Sequence, residues 1–394
     1  MTNFQRILLI ALTTIGASSA LVPLFVKRQL RRKTTALVGG AVATGVMAAY
    51  LQKQQQKRAD ESLFTPEVGS LSGQTILITG GTTGLGLESA KRLAVGGPSQ
   101  IIITARTHSK GQTAVHDVQD YLQEKMIEND CVVSYRLLDL DNLQGIKKAV
   151  DDWMESDFPE IDVMLNNAGV MAISERELTV DGVEKQMQSN HLGHFLLTSL
   201  LAPKLKSTAR IINVSSEAHK IARSGLDFEY MWKGEPNYGG WKSYGQSKLA
   251  NIYFSQELSR RAESQGLGWQ VACLHPGAVA TDLGRYIIGM DNWERSKQGE
   301  ESSFSIQKAL MNTLTLFIKT VEQGATTHVY LAAGAAPEPW KGAYYVDCVP
   351  QRLSDVATDA AAARRLWEES EELTGIDFFE SINPQPAVVP EVLE

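Results

Sequence analysis

The chain has 394 residues, 43% of them hydrophobic and 21% charged, a balance that excludes a disordered, collagen-like or coiled-coil protein. The formal net charge of −7 combines a basic N-terminus, with nine Lys or Arg against one acid in the first sixty residues, and an acidic remainder, with 29 basic and 44 acidic residues. An acidic body argues against a nucleic-acid partner, and three cysteines without metal-like spacing argue against a zinc site or a disulfide framework.

The N-terminal segment, residues 1–60, contains two uncharged runs, residues 7–26 and 34–50, separated by five basic residues. As a helix, the first run is long enough to span a bilayer, whereas the second is at the lower limit of spanning length. Small residues at 17–20 also suit a cleavage site. The segment is therefore interpreted as a membrane anchor, a cleaved targeting segment or an apolar stretch packed on the body. Residues 61–72 are predicted to be a linker.

Seven short apolar runs follow, rich in Ile, Val and Leu and with little alternation, as expected for strands covered on both faces. Helical patterns lie between the first four of them, and together these alternating elements predict an α/β fold. We expect a Rossmann-type, doubly wound parallel sheet of about seven strands with helices on both faces. It would form a single catalytic domain over residues 73–350, followed by a C-terminal extension over residues 351–394. The predicted strands lie near residues 74–79, 100–104, 132–138, 161–165, 210–215, 269–274 and 343–346.

A glycine-rich loop, Thr-Gly-x-x-x-Gly-x-Gly from Thr79 to Gly86, joins the first predicted strand to a helix. Such a turn brings backbone N–H groups to a pyrophosphate at a helix N-terminus, and a Cβ atom would obstruct that approach. The next predicted strand ends at Arg106, and a cation there suits the 2′-phosphate of NADP(H). The alternatives are a simple tight turn and a solvated surface arginine.

Tyr244 and Lys248 are spaced i, i+4 on a helix predicted to continue to about residue 261, so they share one face. A tyrosine normally has a pKa near 10, and a nearby ammonium favours the phenolate and lowers that pKa. The strand before this helix ends in Ser215 and Ser216, and a serine hydroxyl there can bond a substrate carbonyl. The alternative is an exposed helical pair without chemistry.

With these motifs in this order, residues 72–376 resemble the short-chain dehydrogenase/reductase family, and within it the retinol-dehydrogenase-like group. The resemblance rests on the glycine loop, Asn-Asn-Ala-Gly at 166–169, Asn190, the serines, Tyr-x-x-x-Lys and His-Pro-Gly at 275–277. Ser-Asn-His-Leu-Gly-His-Phe at 189–195 and Ala-Arg-Arg-Leu-Trp at 363–367 are similar to retinol dehydrogenases in particular.

The resemblance implies an oxidoreductase that transfers a hydride between NADP(H) and a lipophilic aldehyde, ketone or alcohol of the retinal or retinol kind. It implies that Tyr244 donates or accepts the proton and that Ser216 polarises the carbonyl, with Ser215 as its rival. Lys248 would lower the pKa of Tyr244 and bind the nicotinamide ribose, and Asn190 would hold a relay water. The implied cofactor-binding residues, with Asp139 at the adenine, are Gly80, Thr82, Gly84, Leu85, Gly86, Arg106, Asp139, Leu140, Asn167, Ala168, Gly169, Tyr244, Lys248, Pro276, Gly277, Val279 and Thr281.

Three rival functions are weighed against this interpretation. A light-dependent protochlorophyllide-type reductase typically has a lysine directly after the tyrosine, where this chain has Gly245. An epimerase of the same superfamily would have glycine in place of Thr83. A catalytically silent Rossmann scaffold is disfavoured by the intact set of serine, tyrosine, lysine and asparagine.

The expected partners are a lipophilic small molecule, a membrane that contacts the N-terminal segment, and a second copy in a homodimer. The expected location is the endoplasmic reticulum membrane, with a plastid or another organelle as the alternative if the N-terminal segment is a cleaved targeting peptide. An insert at residues 227–241 carries four aromatic residues, which either wall an apolar substrate pocket or cap the fold.

Overall fold

A computed structural model describes residues 63–277, 279, 319–380 and 382. The N-terminal runs at 7–26 and 34–50 and the predicted cofactor residue Thr281 lie outside the described residues. Within the described ranges, no helix is long and apolar enough to cross a membrane.

All seven predicted strands form one sheet, to which the structure adds a short eighth strand. The first seven strands run parallel in the order β3-β2-β1-β4-β5-β6-β7, and β8 pairs antiparallel with β7 at the edge. Because the order reverses between β1 and β4, a crevice opens at the carboxyl ends of these two strands. The strands are β1 (Thr75–Ile78), β2 (Gln100–Ala105), β3 (Val132–Leu137), β4 (Ile161–Asn166), β5 (Leu205–Val214), β6 (Gln270–His275), β7 (Ala343–Val346) and β8 (Val349–Gln351).

Helices connect successive parallel strands and cover both faces of the sheet. The helix Gly193–Leu201 is preceded by a turn of π-helix, Gln188–Leu192, which follows directly on a short helix, Lys185–Met187. The helices are α1 (Gly84–Val95), α2 (His108–Glu124), α3 (Leu143–Glu155), α4 (Lys185–Met187), α5 (Gly193–Leu201), α6 (Gly240–Ser264), α7 (Val321–Ala332) and α8 (Ala360–Thr374).

The strands have little polar alternation because each face of the sheet meets its own hydrophobic layer. In β1, Leu77 belongs to the layer beneath α3, α5 and α6, whereas Ile76 and Ile78 belong to the layer beneath α1, α2 and α7. All three side chains are fully buried. The predicted α/β architecture is thereby confirmed, with eight strands instead of about seven.

The C-terminal helix α8 is part of the first of these layers. Trp367 is 1% exposed and packs against Phe195 of α5 and Phe254 of α6, with ring centroids 5.0 Å and 6.0 Å away. The chain after α8 adds Phe378, whose ring centroid lies 4.6 Å from that of Trp367. Residues beyond 350 therefore help to enclose the core that supports α6.

Candidate active site

The glycine loop lies between β1 and α1, at the carboxyl edge of the sheet. Gly80 has a φ of +64°, and a Cβ atom there would lie 2.8 Å from the Cα atom of Ala168. A Cβ on Gly86 would lie 2.5 Å from the carbonyl oxygen of Gly80. Glycine at these positions lets the loop pack tightly against the segment that follows β4.

The N-terminus of α1 offers donors to an anion. Thr83 is the N-cap residue but makes no side-chain capping bond, and the first turn contains no acidic residue. The first-turn N–H groups of a helix lack partners within the helix, and the helix dipole favours negative charge there. A pyrophosphate therefore fits this end of α1.

A cleft of about 290 Å³ opens along this edge of the sheet, between the ends of β1, β2 and β4. The residues that line it include eleven of the predicted cofactor-binding residues, from the glycine loop to the segment after β4. These are Gly80, Thr82, Gly84, Leu85, Gly86, Arg106, Asp139, Leu140, Asn167, Ala168 and Gly169.

The cleft has further lining residues that the sequence analysis did not select. Lys110 is exposed, as is Arg106, and both side chains line the end of the cleft beside β2. Lys110 follows Arg106 by four residues and lies in the first turn of α2, and this closeness in the sequence could have pointed to it. Asp141 and Ser189 also line the cleft, and the Ser189 hydroxyl donates to the Asp141 carboxylate. Burial raises the pKa of Asp141.

Tyr244 and Lys248 lie on α6 and are both buried, 9% and 4% exposed. The Lys248 Nζ atom lies 5.6 Å from the centroid of the Tyr244 ring and donates to the carbonyl oxygen of Val214 at 3.0 Å. Burial raises the pKa of Tyr244 to about 12 and lowers that of Lys248 to about 8. The shift in the tyrosine pKa is opposite to the expected one, because desolvation of the phenolate outweighs the hydrogen bond with Ser216, which lowers the pKa.

The two candidate serines differ in what their hydroxyl groups do. Ser215 is 2% exposed, and its hydroxyl donates to the main-chain carbonyl oxygen of Lys248 at 2.7 Å. Ser216 is half-buried, accepts a bond from the Ala218 N–H at 3.2 Å, and lies within hydrogen-bonding reach of the Tyr244 hydroxyl. Ser215 thus fixes α6 against β5, whereas Ser216 faces the tyrosine.

Asn190 lies in the π-helical turn and is fully buried. Its Nδ2 atom donates to the Val170 carbonyl oxygen and to the Ser247 hydroxyl, both at 2.9 Å, and its Oδ1 atom accepts from the Val170 N–H at 2.8 Å. Since both amide protons are committed, a water molecule held by this residue would have to donate to one of its oxygen atoms.

The turn after β6 contains the remaining predicted residues. Gly277 has a φ of +90°, and its N–H donates to the Nδ1 atom of His275 at 3.0 Å. The Lys319 Nζ atom donates to the carbonyl oxygen of Pro276 at 3.3 Å, and Val279 forms an isolated parallel bridge with Lys319. This turn is not among the residues that line the cleft beside the glycine loop.

The aromatic insert at 227–241 divides between the two predicted roles. Tyr230 and Trp232 are buried, and the Tyr230 hydroxyl bonds the Ser243 hydroxyl at 2.9 Å, so both residues cap the fold. Trp241 is 41% exposed and stands edge-on to Tyr244, with ring centroids 6.0 Å apart. Trp241 therefore presents an apolar surface directly beside the tyrosine.

Comparison with known proteins agrees with this geometry. Residues 74–227 match the family model described as short chain dehydrogenase. The chain is 36% identical over 323 residues to retinol dehydrogenase 13 of Homo sapiens, covering 82% of this chain and 90% of that protein. It is 34% identical over 307 residues to the chloroplastic short-chain dehydrogenase TIC 32 A of Brassica napus, covering 75% and 87%.

A solved structure of an uncharacterised protein from Mycobacterium paratuberculosis is 30% identical, covers 80% of this chain and 97% of its own, and superposes with a TM-score of 0.59. Members of the matched family use nicotinamide cofactors, which agrees with the glycine loop at the N-terminus of α1. The chain therefore belongs to the short-chain dehydrogenase/reductase family, in its retinol-dehydrogenase-like group, and is an oxidoreductase of alcohols and carbonyl compounds.

Proposed function

We propose that this protein is an NADP(H)-dependent oxidoreductase that interconverts a lipophilic aldehyde or ketone and the corresponding alcohol. The observation that carries the proposal is the convergence of the Ser216 hydroxyl on the Tyr244 hydroxyl, with Lys248 on the same face of α6. The bound nicotinamide would supply or accept the hydride.

The polar side chains would divide the work on the carbonyl group. Ser216 would donate a hydrogen bond to the carbonyl oxygen, and Tyr244 would give that oxygen its proton. The raised pKa of Tyr244, about 12, keeps the hydroxyl protonated at neutral pH, as a proton donor requires. Lys248 would bind the nicotinamide ribose, and Asn190 would accept a bond from a relay water.

The choice of NADP(H) over NAD(H) is supported by the two cations at the end of the cleft, Arg106 and Lys110. A 2′-phosphate would receive charge-assisted hydrogen bonds from both side chains. Asp139 would bond the adenine, and the α1 N-terminus would hold the pyrophosphate. Pro276, Gly277, Val279 and Thr281 would contact the nicotinamide side.

The lipophilic substrate is supported by Trp241, whose exposed ring lies against Tyr244. If the substrate covers this ring, Trp241→Ser should raise the KM for retinal and long-chain aldehydes by roughly tenfold or more, because burying an aromatic side chain is worth about 1.5–3 kcal/mol. The KM for a short aldehyde should change little. The measurement is NADPH consumption over a panel of retinal, fatty aldehydes, steroids, quinones and short aldehydes.

Leu373→Ser is the matched control for this panel, because Leu373 is 40% exposed but lies on α8. It should leave the KM values unchanged. If Trp241→Ser raised the KM for short and long aldehydes equally, the substrate assignment would be contradicted.

Attachment to a membrane by residues 1–60 is the second part of the proposal. Its basis is the 20-residue uncharged run at 7–26 and the basic cluster that follows it. The full-length protein should then pellet with membranes and resist carbonate extraction. A protein starting at Ser62 should be soluble and active on small carbonyl compounds, because it retains Phe64 and Leu71, which pack on the catalytic body.

Recovery of full-length protein in the soluble fraction with its N-terminus intact would contradict the anchor. We propose the endoplasmic reticulum as the location. A mature N-terminus near residue 21 would instead favour a cleaved targeting segment and an organelle such as the plastid, the compartment named for the Brassica napus relative. The proposal includes a homodimer, which sedimentation velocity would detect.

A further inference from the structure

A buried histidine on α5 connects two parts of the site that the sequence treats separately. His194 is 2% exposed and lies four residues after Asn190. Its Nδ1 atom lies 3.1 Å from the main-chain carbonyl oxygen of Asn190, and its Nε2 atom lies 2.8 Å from the Thr79 hydroxyl. Because a carbonyl oxygen only accepts, Nδ1 must carry the proton and Nε2 must accept one from Thr79.

Thr79, directly after β1, links His194 to the segment after β4 by hydrogen bonds. The Thr79 hydroxyl proton has His194 Nε2 as its near acceptor, since the carbonyl oxygen of Leu165 is 3.4 Å away. The Thr79 Oγ1 atom in turn accepts from the N–H groups of Asn167 and Ala168, at 2.9 Å and 3.0 Å. Thr79 therefore holds the first half of residues 167–170, which line the cofactor cleft.

Asn190 holds the other half of that segment through its two bonds with the main chain of Val170. Gly169 lies between the two attachment points, and a Cβ atom there would be 2.9 Å from Asn190 Oδ1 and 3.4 Å from Lys248 Nζ. The hydrogen bonds thus form a closed ring, which we call the 167–170 ring. It runs from His194 through Thr79, residues 167–170 and Asn190 back to His194.

We propose that His194 is a positioning residue that closes the 167–170 ring and thereby fixes both the wall of the cofactor cleft and the orientation of Asn190. The inference rests on the proposed function for its kinetic consequences, but the ring itself does not depend on that function. Burial lowers the pKa of His194 to about 4, so the neutral Nδ1–H form that the ring requires persists at neutral pH.

Two single substitutions test separately the two hydrogen bonds of His194, the Nδ1 bond to Asn190 and the Nε2 bond to Thr79. His194→Asn keeps a donor near the Nδ1 position, toward Asn190, and removes the link to Thr79. His194→Gln keeps a polar atom near the Nε2 position, toward Thr79, and removes the link to Asn190. His194→Phe keeps an aromatic side chain at this position and removes both hydrogen bonds.

The expected results follow from which residue each hydrogen bond of His194 positions, Asn190 or Thr79. His194→Phe should lower kcat and weaken NADPH binding, each by about tenfold or more, since small displacements of a reacting group have costs of this size. His194→Asn should recover kcat more than NADPH affinity, and His194→Gln should recover NADPH affinity more than kcat. Amide hydrogen exchange should rise in residues 167–170 of His194→Phe beyond the rise elsewhere in the protein.

The control is His191→Phe, which replaces a second buried histidine, three residues earlier, in the π-helical turn that precedes α5. His191 is 1% exposed, and its Nε2 atom bonds the Ser370 hydroxyl of α8 at 3.0 Å, outside the ring. This variant should change the melting temperature without changing kcat or exchange at residues 167–170. If His194→Phe does not fold, Thr79→Val and Thr79→Ser test the ring instead, because only serine retains the hydroxyl.

Nitrogen NMR of the histidine ring gives a readout without turnover, and the Nδ1–H tautomer is expected for His194. The Nε2–H tautomer, or unchanged exchange at residues 167–170 in His194→Phe, would overturn the proposal. So would losses of activity in every variant, His191→Phe included, that simply follow the melting temperature. If the wild-type protein reduces no carbonyl compound, the proposed function fails, while the tautomer, the exchange and NADPH affinity still decide the role of His194.

Discussion

Tyr244→Phe is expected to lower kcat for carbonyl reduction by at least about 100-fold, the lower end of what general acid–base catalysis contributes. The substitution removes the one proton that the Tyr244 side chain can give and keeps the ring that packs against Trp241. The Ser216 hydroxyl remains and still orients the carbonyl, so the loss should appear in kcat. NADPH affinity should change little, because the phenylalanine fills the same volume.

Tyr230→Phe is the control for this measurement. Tyr230 is also buried, in the insert that precedes α6, and its hydroxyl bonds Ser243 of α6, so the variant loses a buried hydroxyl without touching the proposed proton path. It should lower the melting temperature and leave kcat nearly unchanged. Near-normal turnover in Tyr244→Phe would show that another group supplies the proton.

Arg106→Asp is expected to reduce the preference for NADPH over NADH by at least about tenfold. The change replaces attraction by repulsion at the 2′-phosphate, and two unit charges 4 Å apart in water interact by about 1 kcal/mol. Because Arg106 is exposed, salt screens part of this energy, so the effect should shrink as ionic strength rises. The measurement is the ratio of kcat/KM for NADPH and NADH at two salt concentrations.

Lys125→Asp makes the same change of charge at the far end of α2 and should leave the ratio unchanged. Lys110→Gln should reduce the ratio less than Arg106→Asp, since it removes a charge without reversing one. An NADPH preference that survives both Arg106→Asp and Lys110→Gln would contradict the assignment of the 2′-phosphate to this end of the cleft.

The seven parallel strands were predictable because both of their faces are buried, which leaves continuous runs of Ile, Val and Leu. Strand β8 was not, since all three of its residues are exposed and give no apolar signal. Burial of Trp367 against Phe195 and Phe254 was also hidden, because the packing partners are more than one hundred residues away along the chain.

The motifs and the family resemblance together named eleven residues that line the cleft, but they did not show how the polar atoms of these residues pair. The sequence left Ser215 and Ser216 as rivals. It does not show the two contacts that lead us to propose Ser216, which are the bond from Ser215 to the Lys248 carbonyl oxygen and the approach of Ser216 to Tyr244. Likewise, the sequence predicted a lowered pKa for Tyr244, whereas the structure raises it. The desolvation that raises this pKa depends on the packing around α6, which the sequence does not show.

The central claim is hydride transfer from NADPH to a lipophilic carbonyl carbon, and isotope transfer tests it most directly. The protein is incubated with retinal or a fatty aldehyde and NADPH deuterated at C4 on either face, and the alcohol is analysed by mass spectrometry. We predict one deuterium on the carbinol carbon from one of the two labelled cofactors, and at least about 100-fold slower labelling in Tyr244→Phe. Tight NADPH binding without deuterium in the alcohol from any carbonyl compound of the panel would contradict the account.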